Sequence, residues 1–443
     1  MTKDKLMTYT FVALVVIAAI TAILLWNIVD YKPSDPPFTQ PLGWQLGLTV
    51  VLNCLVAVGV AVGVDVLFSK LAADSKLNIM SAAVFGMIVA LSYSIGIPPV
   101  MSVEVLPLVA PASIWFVALI SLVGMVVFKK VVGVFGRKFV NPAAAAKFVI
   151  FLPFLAQILL PVDHTVGIPK LATSINFDLF GFYMQSCFGN PTAVTMAAPT
   201  PSELFQTMFL NKYHGWAGGI STIAVIAVGI ALFLLCRRFI KWRITVTYLV
   251  TTAVLAYILA IVYGGDPLLR LMFHLFVGSS IFMAFFMATD PASTPLTYMG
   301  QTVFGVGLGV LTVLIQTGMN FFGGSILALL IMNLLSPLLD KVGRLKPSTE
   351  TKEPKLPKAK QFPPEKVKEY QCIRCGACMR VCCHKLSPIL IKQAFDKQNV
   401  EAMIKLKADY CTGCGHCTFI CPSRIDLRAS VLRAKGMLRQ EAA

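Results

Sequence analysis

TYTFVALVVIAAITAILLWNIV, residues 8–29, holds 22 consecutive positions without a charged side chain. A helix rises about 1.5 Å per residue, so this run alone crosses a hydrocarbon core of about 30 Å. Apolar runs of similar character follow at 44–68, 79–97, 112–134, 142–161, 215–236, 243–264, 267–288, 300–317 and 321–340. The pattern predicts an all-α polytopic membrane protein of about ten transmembrane helices. The runs at 79–97 and 267–288 end in small and Pro-containing sequence, which predicts broken or re-entrant helices there. No small-residue cleavage site follows residues 8–29, so the first run reads as a span and not as a removed signal.

Composition agrees. Of 443 residues, 57% are hydrophobic and 13% charged, with a mean hydropathy of +0.76. A soluble chain carries about 25% charge because much of its surface must face water, so a soluble enzyme is excluded. Basic residues set the orientation. With Lys3 and Lys5 in the cytoplasm, the inside loops hold Lys70, Lys76, Lys129, Lys130, Arg137, Lys138, Arg237, Arg238, Lys241 and Arg243, against Lys32, Lys170 and Lys212 outside. The sequence therefore predicts a multi-pass cell (inner) membrane protein with both termini cytoplasmic.

The stretch Ser81-Ala-Ala-Val-Phe-Gly-Met-Ile-Val-Ala-Leu is echoed by Gly278-Ser-Ser-Ile-Phe-Met-Ala-Phe-Phe-Met-Ala-Thr, five spans later. An odd number of spans inverts the second copy, which predicts inverted five-helix repeats whose small-residue segments meet near the membrane centre.

After Asp340 the chain changes character. Residues 1–340 carry 17 Lys and Arg against 12 Asp and Glu, whereas residues 341–443 carry 21 against 9. A basic tail behind a membrane span points to an anionic leaflet or an acidic protein partner ahead of nucleic acid. We divide the chain into a membrane redox domain (1–340), a basic Pro/Lys-rich linker (341–368) and a cytoplasmic cluster domain (369–443).

Nine of the 12 cysteines lie between Cys372 and Cys421. Cys372, Cys375, Cys378 and Cys382 form CxxCxxCxxxC, and Cys411, Cys414, Cys417 and Cys421 repeat it before Pro422. This is the bacterial two-cluster ferredoxin spacing, in which the fourth cysteine of each run ligates the other cluster. It assigns Cys372, Cys375, Cys378 and Cys421 to one 4Fe–4S cluster, and Cys411, Cys414, Cys417 and Cys382 to the second. Zinc ordinarily uses paired CxxC knuckles, and disulfides do not persist on the reducing side of the membrane. Cys383 occupies a position where proline is usual and reads as a non-ligand. Residues 384–409 have helical periodicity, so the cluster domain should be small and mainly helical.

Several segments resemble one family, the large membrane subunit shared by the Rnf complex (its D subunit) and the sodium-translocating NADH:quinone reductase (its B subunit). They are Gly136-Arg-Lys-Phe-Val-Asn-Pro-Ala-Ala144, Arg237-Arg-Phe-Ile-Lys-Trp-Arg-Ile244, Phe285-Phe-Met-Ala-Thr-Asp-Pro-Ala-Ser-Thr-Pro295 and Ala328-Leu-Leu-Ile-Met-Asn-Leu-Leu-Ser-Pro-Leu-Leu-Asp340. The cysteine tail resembles the two-cluster module of a different subunit, Rnf C. The resemblance implies electron transfer from a cytoplasmic donor through two 4Fe–4S clusters to a flavin, quinone or partner subunit, with other membrane and cytoplasmic subunits as partners, coupled to ion movement. The alternative is a redox-sensing ion or small-solute transport module.

The family also attaches FMN to a threonine in an outside loop, in a motif of the form Asp-x-x-(Ser/Thr)-x-Ala-Thr-Pro. Aligned on Pro199, this chain reads Thr192-Ala-Val-Thr-Met-Ala-Ala-Pro199, so Ala198 stands at the attachment position. Alanine has no hydroxyl to esterify, and covalent FMN is not expected; Thr195 and Thr200 lie nearby, out of register. With Asn141 and Asp290 they complete the candidate cofactor contacts. Asp290, beside Pro291, suits either cation binding or capping, and Asn141 suits a helix cap or a flavin contact. Asp65 and Lys147 are intramembrane charges with a functional or a pairing role, and His274 suits a quinone or simple packing. No catalytic residue is identified.

Overall fold

The computed structural model describes residues 3–26, 43–71, 77–95, 112–131, 140–152, 209, 215–237, 239–263, 267–276, 280–318, 324–343 and 369–441. All ten apolar runs contain helix. In chain order these are α1 (Lys3–Trp26), α2 (Gly43–Leu71), α3 (Ile79–Leu91), α4 (Ala112–Val123, continued by a π-helical stretch Gly124–Val131) and α5 (Pro142–Phe151). Then come α6 (Thr222–Cys236), α7 (Trp242–Tyr263), α8 (Pro267–Phe276), α9 (Ser280–Phe282, continued as π-helix over Met283–Met287), α10 (Tyr298–Gly318) and α11 (Gly324–Leu339).

Five of these helices, Asp4–Trp26, Gly47–Leu71, Ser113–Val131, Trp242–Val262 and Tyr298–Thr317, are long and apolar enough to cross a membrane. A sixth crossing arises if the bent pair Arg270–Phe276 and Ser280–Met287 counts as one, and α3, α6 and α11 are shorter apolar helices. Length therefore fixes fewer crossings than the ten that hydropathy predicts. The outward faces are apolar: Leu55, Trp115, Leu234, Leu235, Ile261 and Val262 are all exposed. Such a surface is stable only against lipid, and the protein is an integral membrane protein.

Two breaks fall in the runs that the sequence marks as broken, 79–97 and 267–288; the late start of the 215–236 helix is not marked. Helix α3 stops at Leu91, not near residue 97, and Ser94–Ile95 pairs antiparallel with Gly215–Trp216. Helix α6 correspondingly starts at Thr222, capped by Ser221, after a short 3₁₀ turn at Ala217–Gly219. Backbone groups freed by a broken helix must find partners inside the protein. Here Ala217 donates to the Tyr93 carbonyl, and the Lys147 ammonium donates to that of Ser92. The second break, between α8 and α9, bends the chain by 58°, as the Pro- and small-residue signal anticipated.

Helices α1, α3 and α4 pack on α2, with α5 against α3 and α4, and α7, α10 and α11 form the main contacts of the second group; α1 meets α6, and α5 meets α11. The two repeated segments, Ala82–Leu91 and Ser280–Ala288, are buried almost throughout. They approach each other at Gly218, where an added Cβ would lie 2.5 Å from Phe282 and 3.0 Å from the Leu91 side chain. Gly86 makes a similar close approach, to the backbone of α2. Its Cβ would stand 2.7 Å from both the Ala57 carbonyl oxygen and Val58 Cα. Gly86→Val should separate α2 from α3 and cost about 1–3 kcal/mol through overpacking, read as a lowered thermal midpoint in detergent.

The cluster domain contains α12 (Ala377–Arg380), α13 (Pro388–Asp396), α14 (Val400–Lys405), α15 (His416–Ile420) and α16 (Leu427–Glu441). Leu386, Ile391, Ala394, Met403, Ala408, Val431 and Ala434 form its own core. It is mainly helical, as the 384–409 periodicity suggested.

Candidate functional site

The cysteine domain is built as two similar halves. Position for position, the Cys372 run and the Cys411 run use left-handed backbone at the same places: Arg374 and Gly413, Gly376 and Gly415, Lys385 and Arg424. These turns curl each loop around its thiols and aim amides at sulfur. Arg374 N donates to Cys372 Sγ and Gly413 N to Cys411 Sγ, both at 3.4 Å, while Leu386 N donates to Cys382 Sγ at 3.3 Å.

The eight thiols gather into two groups. Cys378 is surrounded by Cys375, Cys372 and Cys421, with Cys417 of the other group next to them. In the other half, Cys382, Cys411, Cys414 and Cys417 line one pocket with His384 and Arg428. Each group draws three cysteines from one run and the last from the other. Burial pushes the Cys375 thiol up to about 11 and the Cys417 thiol to about 12, so iron binding must displace protons from these sulfurs. Among the described residues no three His, Cys, Asp or Glu side chains converge on one metal ion. Zinc would need sulfurs converging at about 2.3 Å, whereas a cubane spreads its four thiolates over four irons. The donor set and its spacing fit two cubanes. Cys383 is exposed, with its sulfur 3.7 Å from Cys414 Sγ.

The first cysteine loop is seated in the membrane domain. Ile373, Cys375 and Ala377 are buried within the same apolar core as the membrane helices. Leu296, which follows the Phe285–Pro295 segment, packs against Cys378, Met379, Ile389, Ile425 and Leu427. Asp340, just beyond α11, ties the parts together: its Oδ2 pairs with Arg374 Nη2 at 2.8 Å and its Oδ1 accepts from Leu296 N at 2.8 Å.

Lys241, which the sequence offers only as an inside-loop charge, is buried. Its Nζ donates to the carbonyls of Pro291 and Thr294 and to Thr294 Oγ1 at 2.9–3.0 Å. Its charge acts on Cys372 and Cys375. Burial pushes this ammonium down to about 7, and Arg374 lowers it further, while Asp340, Asp290 and Cys375 oppose the shift. Sequence reasoning missed the roles of Lys241, Asp340, Arg374 and Leu296. The one available signal was that Lys241 and Asp340 both lie in segments matched to the family.

The candidates inside the membrane domain are placed as follows. Asp290 is engaged by its own turn, accepting from Ala292 N at 3.3 Å and Ser293 Oγ at 2.9 Å. Asn141 caps α5 through Ala143 N and Ala144 N, and its amide donates to the Met287 carbonyl at 3.2 Å. It thereby links α5 to the end of α9. Asp65 pairs with Lys130 at 2.6 Å and accepts from Asn78 N. Lys147 lies 4.5 Å from the centre of the Trp216 ring, and His274 Nδ1 is 2.9 Å from Gln316 Oε1. Thr195, Ala198 and Thr200 lie outside the described residues.

A bundle of lipid-facing helices with a two-cubane cysteine module packed on one end defines a membrane-bound iron–sulfur protein of electron transport. Comparison with known proteins agrees: the chain belongs to the NQR2, RnfD, RnfE family, whose profile matches residues 4–348. A 4Fe-4S dicluster domain profile matches residues 371–425, so the module carries two 4Fe–4S clusters. Similar proteins include the D subunit of the Na(+)-translocating ferredoxin:NAD(+) oxidoreductase complex of Acetobacterium woodii, 29% identical over 69% of this chain and 84% of that protein. The D subunit of an ion-translocating oxidoreductase complex of Haemophilus influenzae is 27% identical over 73% and 92%. Its counterpart in Vibrio cholerae is 28% identical over 72% and 92%.

Proposed function

We propose that this protein is the electron-transfer subunit of an ion-translocating membrane oxidoreductase complex of Rnf type, with its cluster module fused to the membrane domain. Cys372, Cys375, Cys378 and Cys421 hold one cluster, and Cys411, Cys414, Cys417 and Cys382 the other. When bound, the clusters supply one-electron storage and relay. The protein's own residues bury the first cysteine loop, exclude water from it and fix it against the membrane domain. A cytoplasmic reductant is the donor; a flavin, a quinone or a partner subunit is the acceptor. Other membrane and cytoplasmic subunits complete the complex, and coupling to an ion follows the names of the relatives.

The observation that carries this reading is the burial of Ile373, Cys375 and Ala377 in the core of the membrane helices. A module that merely sensed redox state at the end of a linker would not need its cluster loop there. Orientation rests on the bias of loop cations to one side, with the module packed at the helix ends that carry Lys241 and Asp340.

The test uses the full-length protein in anaerobic proteoliposomes, with the clusters reduced by dithionite until it is consumed. Addition of a quinone analogue or of FMN should restore the visible absorption. Clusters that stay reduced with both carriers and with native membranes holding the partner subunits present would overturn the reading. Ion flux upon cluster reduction without any acceptor would instead favour the redox-gated transport module, the reading to which Ala198 lends support.

Any flavin of this chain is held without a covalent bond, because Ala198 stands where the family's threonine is esterified. Mass spectrometry of the peptide Ser186–Lys212 should show no FMN adduct. An adduct on Thr195 or Thr200 would mean that the attachment site has shifted register.

A further inference from the structure

The two halves of the cysteine module match in backbone, yet they differ at one informative position. The left-handed site two residues after the first cysteine is Gly413 in one loop and Arg374 in the other, at φ +72° and +54°. A residue with a Cβ is strained in that region, by about 1–2 kcal/mol; Lys385, Gln398, Lys407 and Arg424 bear the same strain, but Arg374 is buried, so its guanidinium needs a counter-charge. Asp340 supplies it, through an ion pair whose two side chains are each 8% exposed.

The surroundings of the loops differ in the same sense. Around the Cys372 loop lie Leu296, Asp340 and Lys241 of the membrane domain, and Gly376 approaches the Leu296 carbonyl, which would be 3.6 Å from an added Cβ. The Cys411 loop is less deeply set: Cys411, Cys414 and Cys417 are half-buried where Cys375 and Cys378 are buried, although Ile420 at the end of the same run reaches the membrane core and Cys417 packs near Leu296, and Lys435 Nζ donates to the Cys411 carbonyl at 2.8 Å. Cys383, beside Cys414, is exposed, and Phe419 is 90% exposed.

We infer that the Cys372 loop is the membrane-side electron port and the Cys411 loop the donor-side port, and that Lys241 is a positioning residue setting the affinity of the membrane-side cluster for its electron. The inference rests on the electron-transfer reading above and adds the order of the two centres. Cys411, Cys414, Cys417 and Cys382 would hold the centre that takes one electron at a time from the donor, and Cys372, Cys375, Cys378 and Cys421 the centre that would accept it and pass it to a flavin, a quinone or a partner subunit. With four thiolates a 4Fe–4S centre goes from dianion to trianion on reduction. Lys241 Nζ is held by Thr294, two residues before the Leu296 that packs on Cys378, so in its protonated form it is a buried cation at the cluster seat; it then favours the reduced form, more strongly than it would in water.

The experiment is a redox titration of the full-length holoprotein followed by paramagnetic resonance. The two signals are assigned from preparations of Cys375→Ser and Cys414→Ser. Lys241→Gln should make the electron affinity of the Cys372-set cluster roughly tenfold weaker, a shift of about 59 mV to lower potential for a one-electron couple. The Cys411-set cluster should be unchanged. Lys241→Arg, which keeps the charge, should restore the potential, and Lys435→Gln should move the Cys411-set cluster instead. Unchanged potentials in Lys241→Gln, or a shift confined to the Cys411-set cluster, would overturn the inference.

Should Lys241→Gln lose its clusters, the wild-type protein still decides. A water-soluble paramagnetic lanthanide chelate should enhance relaxation of the Cys411-set signal and spare the Cys372-set signal; equal enhancement would overturn the assignment. Neither readout requires turnover. Clusters that fail to react with quinone, FMN or the partner subunits would therefore sink the functional reading while leaving their order intact.

Discussion

Replacing Cys375 by Ser is expected to remove about half of the bound iron, from about eight atoms to about four per chain, while the second cluster keeps its spectrum. Cys375 is a buried member of the first thiol group, near Cys372 and Cys421. Its neighbours form no part of the pocket lined by Cys382, Cys411, Cys414 and Cys417. Cys383→Ser should leave the iron count at about eight, even though Cys383 Sγ stands 3.7 Å from Cys414 Sγ. The measurement is iron and sulfide analysis with anaerobic visible and resonance spectra. If Cys383 proved indispensable and Cys382 dispensable, the proposed ligand set would have to be redrawn.

Asp340→Ala should be the most damaging change that touches no cysteine. It leaves Arg374 buried without its carboxylate, a loss of about 3–5 kcal/mol when one partner of a buried pair is removed. It also strips the acceptor from Leu296 N, a further cost of about 1–3 kcal/mol that overlaps with the first because the groups touch. Hydrogen exchange should show the amides of residues 373–377 losing protection, while the iron content stays near eight because every ligand remains. Asp340→Asn keeps an acceptor for Leu296 and gives up only the charge, so its loss of protection should be smaller. Unaltered exchange in Asp340→Ala would show that apolar packing of Ile373 and Leu296 alone seats the module.

The readable parts of the chain were those in which one residue type must recur at a fixed interval. A membrane core forces apolar residues into long runs, and a cubane needs thiolates at i, i+3 and i+6. Both patterns are local, so the apolar helical character of the first 340 residues and the two cysteine runs stood in the sequence. The ends of α3 and α6 did not. An apolar run looks the same whether it continues as helix or breaks, and the break was settled by the pairing of Ser94–Ile95 with Gly215–Trp216, more than a hundred residues apart. Asp65 and Asp290 looked alike as carboxylates near span ends. Only their partners separate them, the Lys130 ammonium for one and the turn of Ser293 for the other.

By itself, then, the sequence determined that the chain lies in a membrane, that it carries two iron–sulfur clusters and which family it resembles. The first two follow from composition and spacing, which no folding can alter, and the third is a resemblance carried by four short segments. Tertiary structure alone decided that one cysteine loop rather than its near-duplicate lies against the membrane helices. In sequence Lys241, Leu296, Asp340 and Arg374 are an ordinary loop cation, a leucine after proline, a helix-end acid and a residue between two cysteines. They become a seat for the first cysteine loop only when distant segments are brought into a space that excludes water. There a charge must find its counter-charge, and the choice of arginine over glycine at position 374 acquires its consequence.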